Sequence, residues 1–501
     1  MTLAVVNSRA LLGVDAPAVT VEVHISAGLP ALNMVGLPEA AVRESKERVR
    51  SAIQTSQLEF PLGRITVNLA PADLPKTGGR YDLAIALGIL AASGQIPLEP
   101  LKHLECIGEL ALDGRIRPVP GALVAARASR DARRCLVLPA DNAPRAALVQ
   151  QAQLLPVTDL LGLCAHLKGL TPLPFYEGCI SASIMPDYPD ILDVKGQQQA
   201  KRALQVVASG GHNALLFGPP GTGKTLLASR LPGLLPVLDE EEALEVAAVE
   251  SLLAGYLEEG GWPQRPFRAP HHSASAAALV GGGSEPRPGD ISLAHQGVLF
   301  LDELPEFDRK VLEVMREPLE SGHITLSRAR AKVTFPARFQ LIAAMNPCPC
   351  GYHGDSSGRC QCSAEQIRRY RSRLSGPLLD RIDLHLRVQT PDWQTLRQAE
   401  RSGPNSAQIR QQVTEVRQLQ LQRQGCLNAH LQGQALDQFC DVDEATAATL
   451  RQAVDRLGLS ARAYHRVLRV SRTLADMAGE AQIGMRHVLE ALSYRQLDRP
   501  V

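Results

Sequence analysis

Residues 218–225 read Gly-Pro-Pro-Gly-Thr-Gly-Lys-Thr, the spacing of a loop that wraps phosphate oxygens in backbone amides. Gly218, Gly221 and Gly223 permit the tight backbone path, and Pro219, Pro220 and Thr222 complete the loop. Lys224 can reach the β- and γ-phosphates of a nucleotide, and the Thr225 hydroxyl can ligate Mg²⁺. Such a loop needs a strand before it and a helix after it. Ala214–Phe217 is a short apolar run, and Leu226 to Leu231 continues with helical spacing. A helix starting near Lys224 adds its positive dipole end. Downstream, Gly297-Val-Leu-Phe-Leu leads into Asp302 and Glu303. A buried strand there delivers both carboxylates at its C-terminal end, where open α/β sheets bind ligands. Asp302 is expected to hold Mg²⁺ and Glu303 to polarise an attacking water.

Three further segments suit the same site. Leu341-Ile-Ala-Ala-Met is an apolar strand ending in Asn346, whose amide can orient water or contact the γ-phosphate; a turn-capping Asn is the alternative. Asp190 to Gln197, with Val194 and Gly196, fits a loop packing on adenine. Arg381 follows a helix on the far side of the core. In a ring it can reach a neighbour's γ-phosphate as an arginine finger; a surface pair with Asp383 is the alternative. Ser460 reads as an N-cap before Arg462, Arg466 and Arg469 at helical spacing. Arg462 is expected to sense nucleotide in its own subunit, unless this is a solvated basic face.

Cys348-Pro-Cys350 and Cys360-Gln-Cys362 place four cysteines within fifteen residues. Two C-x-C pairs joined by a Gly-, Asp- and Ser-rich loop can present four thiolates to a structural Zn²⁺. Redox-labile thiols or a disulfide are the alternative. His353 lies between the pairs as a substitute ligand.

These elements need positioning. With 501 residues, several domains are expected, and 45% hydrophobic with 21% charged is a globular composition. A net charge of +1 implies no global attraction to nucleic acid, so any such site is local. No segment reads as a signal peptide or membrane span. Ten cysteines without a signal peptide suit a reducing cytoplasm. Residues 1–170 mix strands (Val19–Ile25, Ile65–Leu69) with helices (Glu39–Gln54 and a buried one over Leu83–Ala92). A Pro-containing linker spans 171–188. Residues 189–395 alternate strands and helices, which implies a doubly wound α/β core with a parallel sheet. Residues 396–501 are helical in pattern and read as a lid.

The combination resembles the AAA+ ATPases, in the branch shared by the magnesium chelatase ATPase subunit and the MCM helicases. Arg268-Ala-Pro-His271-His272, then Pro288-Gly-Asp-Ile-Ser-Leu-Ala-His295-Gln-Gly, then Leu301-Asp-Glu-Leu-Pro-Glu-Phe307 carry the magnesium-chelatase-like pattern. The whole chain resembles the bacterial YifB/ComM family. That resemblance implies ATP and Mg²⁺, a homo-hexamer, and a DNA translocase or helicase driving branch migration in recombination and natural transformation. The runner-up is an ATP-driven remodeller of a protein partner, of the magnesium chelatase ATPase-subunit type.

Within the resemblance, His323 to Phe335 is a pre-sensor hairpin aimed into a central pore. Arg328, Arg330 and Lys332 at its tip are expected to engage DNA phosphates, which is sequence-independent contact; a solvated hairpin is the alternative. Leu279 to Asp290 fits a second pore loop. Residues 1–170 resemble the Lon protease domain (a ribosomal S5-like α+β fold), with Arg80 at the nucleophile Ser position and Leu123 at the Lys position. A Ser–Lys dyad needs a hydroxyl and a neutralisable amine, so the expectation is a scaffold without proteolysis.

Overall fold

The computed structural model describes residues 2–36, 40–76, 78–178, 188–253, 262, 264–282, 287–327, 332–355, 358–390 and 403–498. Arg328, Arg330, Cys179 and half of the expected linker lie outside them.

Two sheets organise the chain. The N-terminal one has seven strands, in spatial order Ala31–Val35, Arg64–Ala70, Ala18–Ser26, Thr2–Arg9, Leu104–Cys106, Cys135–Pro139 and Leu154–Val157. It is mixed: Thr2–Arg9 and Arg64–Ala70 both run antiparallel to Ala18–Ser26, and the other pairs are parallel. Strand Ala18–Ser26 alternates as its sequence does, with Val19, Val21 and Val23 inward. Against it packs the helix Asp82–Ala92, all eleven residues of which are buried. A helix apolar on every side has no face for water. Its one charge, Asp82, receives hydrogen bonds from Arg48 Nε at 2.8 Å and from the Leu110 amide at 3.3 Å.

The second sheet is wholly parallel, in spatial order Phe267–Arg268, Val298–Leu301, Gln340–Met345, Ala214–Phe217 and Leu384–Arg387. The doubly wound expectation holds. Ala214–Phe217 and Val298–Leu301 are apolar throughout, and Gln340–Met345 is apolar after its first residue, because both faces of the sheet are covered. Leu216, Ile342 and Ala344 face one cluster, and Leu215, Phe217, Leu341, Ala343 and Met345 face the other. The first cluster continues into the C-terminal helices through Val413, Leu450, Val467, Leu474 and Val488. Those helices are Ser406–Gln424, Gly433–Phe439, Glu444–Leu457, Ala461–Met477 and Met485–Ser493. They share one apolar core with the sheet.

The two sheets are joined by the helix Glu240–Glu250. Its Leu244, Ala247 and Ala248 bury against Val124, Leu136 and Leu148 of the N-terminal portion. Arg145 pairs with Glu250 at 2.8 Å, and the Gly121 amide donates to the Ser251 carbonyl. Arg80 and Leu123 are both buried near this junction, Arg80 within 3.4 Å of the Pro120 carbonyl.

Candidate active site

The loop 218–225 leaves the strand Ala214–Phe217 at the point where sheet order reverses: Gln340–Met345 lies on one side and Leu384–Arg387, later in sequence, on the other. Doubly wound sheets open a ligand crevice there. Gly221 and Gly223 have φ of +76° and +85°, a region costly for any residue with a Cβ. Gly218 is required for another reason: a Cβ there would lie 2.1 Å from the Val388 carbonyl oxygen. The helix that follows is shorter than the apolar spacing implies. It runs Lys224–Ala228, and a second short helix, Leu231–Leu234, restarts at Pro232 as its second residue.

Lys224 is buried and donates to the carbonyls of Gly218 and Pro219, each at 2.9 Å, and to Asn346 Oδ1 at 3.3 Å. Burial lowers its pKa, and the nearby charges of Asp302 and Glu303 oppose that shift. Thr225 Oγ1 donates to Asp302 Oδ2 at 2.8 Å, and the Glu303 amide donates to Asp302 Oδ1 at 2.9 Å. Thus the loop, the carboxylates after Leu301 and the amide after Met345 converge at the C-terminal ends of three adjacent strands. The donor set fits a magnesium nucleotide: oxygens from Thr225 and Asp302 for a hard cation, and backbone amides with Lys224 for phosphates.

Two neighbours make contacts that their sequence did not indicate. His272 Nδ1 lies 3.1 Å from Glu303 Oε2, and Glu303 itself has φ of +51°. Gln197 Nε2 donates to the Gln389 carbonyl at 2.6 Å and to the Thr222 carbonyl at 3.4 Å. It thereby ties the segment containing Val194 and Gly196 to the phosphate loop. Val194 is buried in the same cluster as Leu227 and Ala228 of the following helix.

The two outlying arginines stand apart from the loop. Arg381 is paired with Glu320 and donates to the Pro377 carbonyl at 2.6 Å. The alternative pair with Asp383 is not made. Asp383 is buried and takes the guanidinium of Arg466, the Asn213 amide at 2.9 Å and His212 Nδ1 at 3.5 Å. Burial opposes ionisation of Asp383, but Arg466 and His212 outweigh it and hold its pKa well below the carboxylate range. Ser460 caps its helix, its Oγ accepting from the Ala463 amide. Arg462 is exposed in that first turn, and no hydrogen bond joins it to the phosphate loop among the described residues.

The hairpin forms as expected, His323–Ser327 against Lys332–Pro336, with Ser327 opposite Lys332. Lys332 is exposed at the inner end of its strand. The glycine-rich segment pairs Gly281–Gly282 with Arg287–Pro288.

The four cysteines converge. Their Sγ atoms lie within 4.8 Å of one another. Cys348 is 3.3 Å from Cys350 and 3.8 Å from Cys360, and Cys350 is 3.7 Å from Cys360. Tetrahedral Zn–S bonds of about 2.3 Å put sulfurs about 3.8 Å apart, so the quartet fits zinc. His353 contributes its backbone amide, which donates to Cys348 Sγ at 3.3 Å.

The family of magnesium chelatase subunit ChlI matches residues 190–396, its ChlI companion region matches 21–142, and its C-terminal region matches 403–495. The chain is 51% identical to competence protein ComM of Haemophilus influenzae, over 100% of this chain and 98% of that protein. It is likewise 51% identical to the YifB protein of Salmonella typhimurium, with the same coverage. The chain belongs to the YifB/ComM family of magnesium-chelatase-like AAA+ proteins. Similarity to the magnesium-chelatase 38 kDa subunit of Cereibacter sphaeroides is lower, 26% over 31% of this chain. This YifB/ComM chain has no described helix long and apolar enough to cross a membrane.

Proposed function

We propose that this YifB/ComM protein is an ATP hydrolase that moves DNA, acting as a ring of identical subunits that drives branch migration of recombination intermediates. The observation that carries the ATPase part is the 2.8 Å bond between Thr225 and Asp302, with Glu303 and the Lys224–Asn346 pair beside it. In this reading residues 218–225 hold the phosphates, with Val194 and Gly196 beside the base. Thr225 and Asp302 hold Mg²⁺, which supplies charge neutralisation at the phosphates. Glu303 accepts a proton from the attacking water, and Asn346 positions that water. Arg381 leaves Glu320 to reach a neighbour's nucleotide, and Arg462 reads the nucleotide of its own chain. Zn²⁺ sits on Cys348, Cys350, Cys360 and Cys362.

The DNA part rests on the family relative named for competence and on the hairpin bearing Arg328, Arg330 and Lys332. Phosphate contact by such residues is salt-sensitive. ATP turnover measured without DNA and with single strands, duplex and a four-way junction, at two salt concentrations, tests it. The expected result is salt-sensitive stimulation, greatest with the junction. No stimulation by any DNA favours the second reading, remodelling of a protein partner, which the matched magnesium chelatase regions support.

A further inference from the structure

The cysteine knuckle touches the phosphate loop. Gly351, between Cys350 and Tyr352, has φ of +86°, and its amide closes a turn onto the Cys348 carbonyl at 3.0 Å. A Cβ at this position would lie 2.8 Å from Pro220 Cδ and 3.9 Å from Asn346 Cγ. The turn that carries two of the four thiols therefore rests on the phosphate loop and on the side chain that receives Lys224. Its far end is anchored too, since Arg387 donates to the Gly354 carbonyl from the strand beside the loop's own. A cavity of about 220 Å³ is lined by Gly218 and Pro219 of the phosphate loop together with His353 and Gly354 of the turn. Lys224 holds the Gly218 and Pro219 carbonyls of that loop from within, and the turn at Gly351 backs the loop from outside at Pro220.

We infer that the metal-loaded knuckle is a brace for the phosphate loop, so that zinc occupancy sets the affinity for nucleotide. This rests on reading residues 218–225 as the nucleotide loop and the quartet as a zinc site. A short turn rich in Gly, Asp and Ser has no apolar core of its own. Four bonds to one ion give it a fixed shape. With zinc bound, the backbone at Gly351 is a fixed wall against Pro220, and Asn346 is held for Lys224. Without it, residues 348–362 lose the cross-link that defines the turn, and the loop relaxes toward the cavity.

The test uses the full-length protein. Zinc per chain is measured by elemental analysis, and Kd for a fluorescent ATP analogue is measured in excess Mg²⁺. Wild type is expected to hold one zinc per chain. Gly351→Ala leaves all four cysteines in place but drives a methyl into Pro220. It is expected to keep its zinc and to weaken nucleotide binding about tenfold, or 1.4 kcal/mol. Adding Pro220→Ala removes the colliding ring atoms and is expected to recover the part of that loss due to the collision, the strain of a Cβ at φ +86° remaining; general misfolding would allow no recovery. Cys360→Ser is expected to lose both zinc and nucleotide affinity. Gly351→Ala with one zinc and wild-type Kd overturns the brace while leaving both underlying readings intact. Wild type without zinc, after growth in zinc-supplemented medium, overturns the zinc site and the brace together. Wild type with zinc but no nucleotide binding overturns the nucleotide reading and, with it, the brace.

Discussion

Asp383, two residues beyond Arg381, takes the guanidinium of Arg466, one helical turn beyond Arg462. The segment carrying the arginine proposed to act on a neighbour is thus ion-paired to the helix carrying the arginine proposed to act at home. His212 extends the link, its Nε2 lying 2.8 Å from Thr473 Oγ1 on the same helix.

Because Asp383 is buried, removing either partner leaves an unpaired charge. Asp383→Ala and Arg466→Ala are each expected to lower unfolding stability by about 3–5 kcal/mol. The double substitution should cost clearly less than the sum, as coupled residues do. Urea unfolding of the four proteins measures this. Additive losses would mean the pair is not the link.

Gly13 is the second relationship between distant parts of the chain. It has φ of +61°, and a Cβ there would lie 2.5 Å from Val333 Cγ1 on the hairpin. Leu12 and Val14 pack on the same cluster as Ile324, Leu326 and Phe335. The N-terminal turn is therefore a buttress for the hairpin that carries Lys332. Gly13→Val is expected to reduce DNA stimulation of ATP turnover at least about fivefold, with turnover in the absence of DNA retained. A DNA titration of both proteins decides it; unchanged stimulation would remove the buttress.

Acid should weaken the fold below neutrality. Burial lowers the pKa of His385, with Arg495 adding to the shift, and burial likewise lowers that of His430. The unfolded chain takes up protons near pH 6.5, roughly the ordinary imidazole value, while the folded chain resists. Stability is therefore full above that pH and lost as pH falls toward the folded values, by at most about 1.4 kcal/mol per group per pH unit. Asp383, whose folded pKa is depressed, adds a loss of the same sign only below the carboxylate range. Urea midpoints between pH 7.5 and pH 5.5 check this, and His385→Gln with His430→Gln should flatten the slope. A midpoint that rises on acidification would contradict the assignment.

What could be read from sequence was local. Ala214–Phe217, Val298–Leu301 and Leu341–Met345 are continuous apolar runs that end in a glycine loop, two acids and an amide, and each run lies in a strand with its polar residues at the predicted end. The helix Asp82–Ala92 and the cap at Ser460 were legible for the same reason. The pairings were not. His272 with Glu303, Arg381 with Glu320 and Gln197 with Gln389 join residues 31, 61 and 192 apart in sequence. Their side chains fit many partners, so only the folded sheet order selects one. Gly13 shows the same limit: nothing near it in sequence indicates a hairpin 320 residues away.

The central claim is that this site's hydrolysis moves DNA. The direct measurement is conversion of a four-way junction with homologous arms into its duplex products, with ATP and Mg²⁺, by wild type and by Glu303→Gln. Wild type should convert the junction only with ATP. Glu303→Gln should bind nucleotide and junction but lose conversion and hydrolysis together, by about 10²-fold or more. Wild type that hydrolyses ATP yet leaves the junction intact, or Glu303→Gln that converts it as fast, would contradict the account.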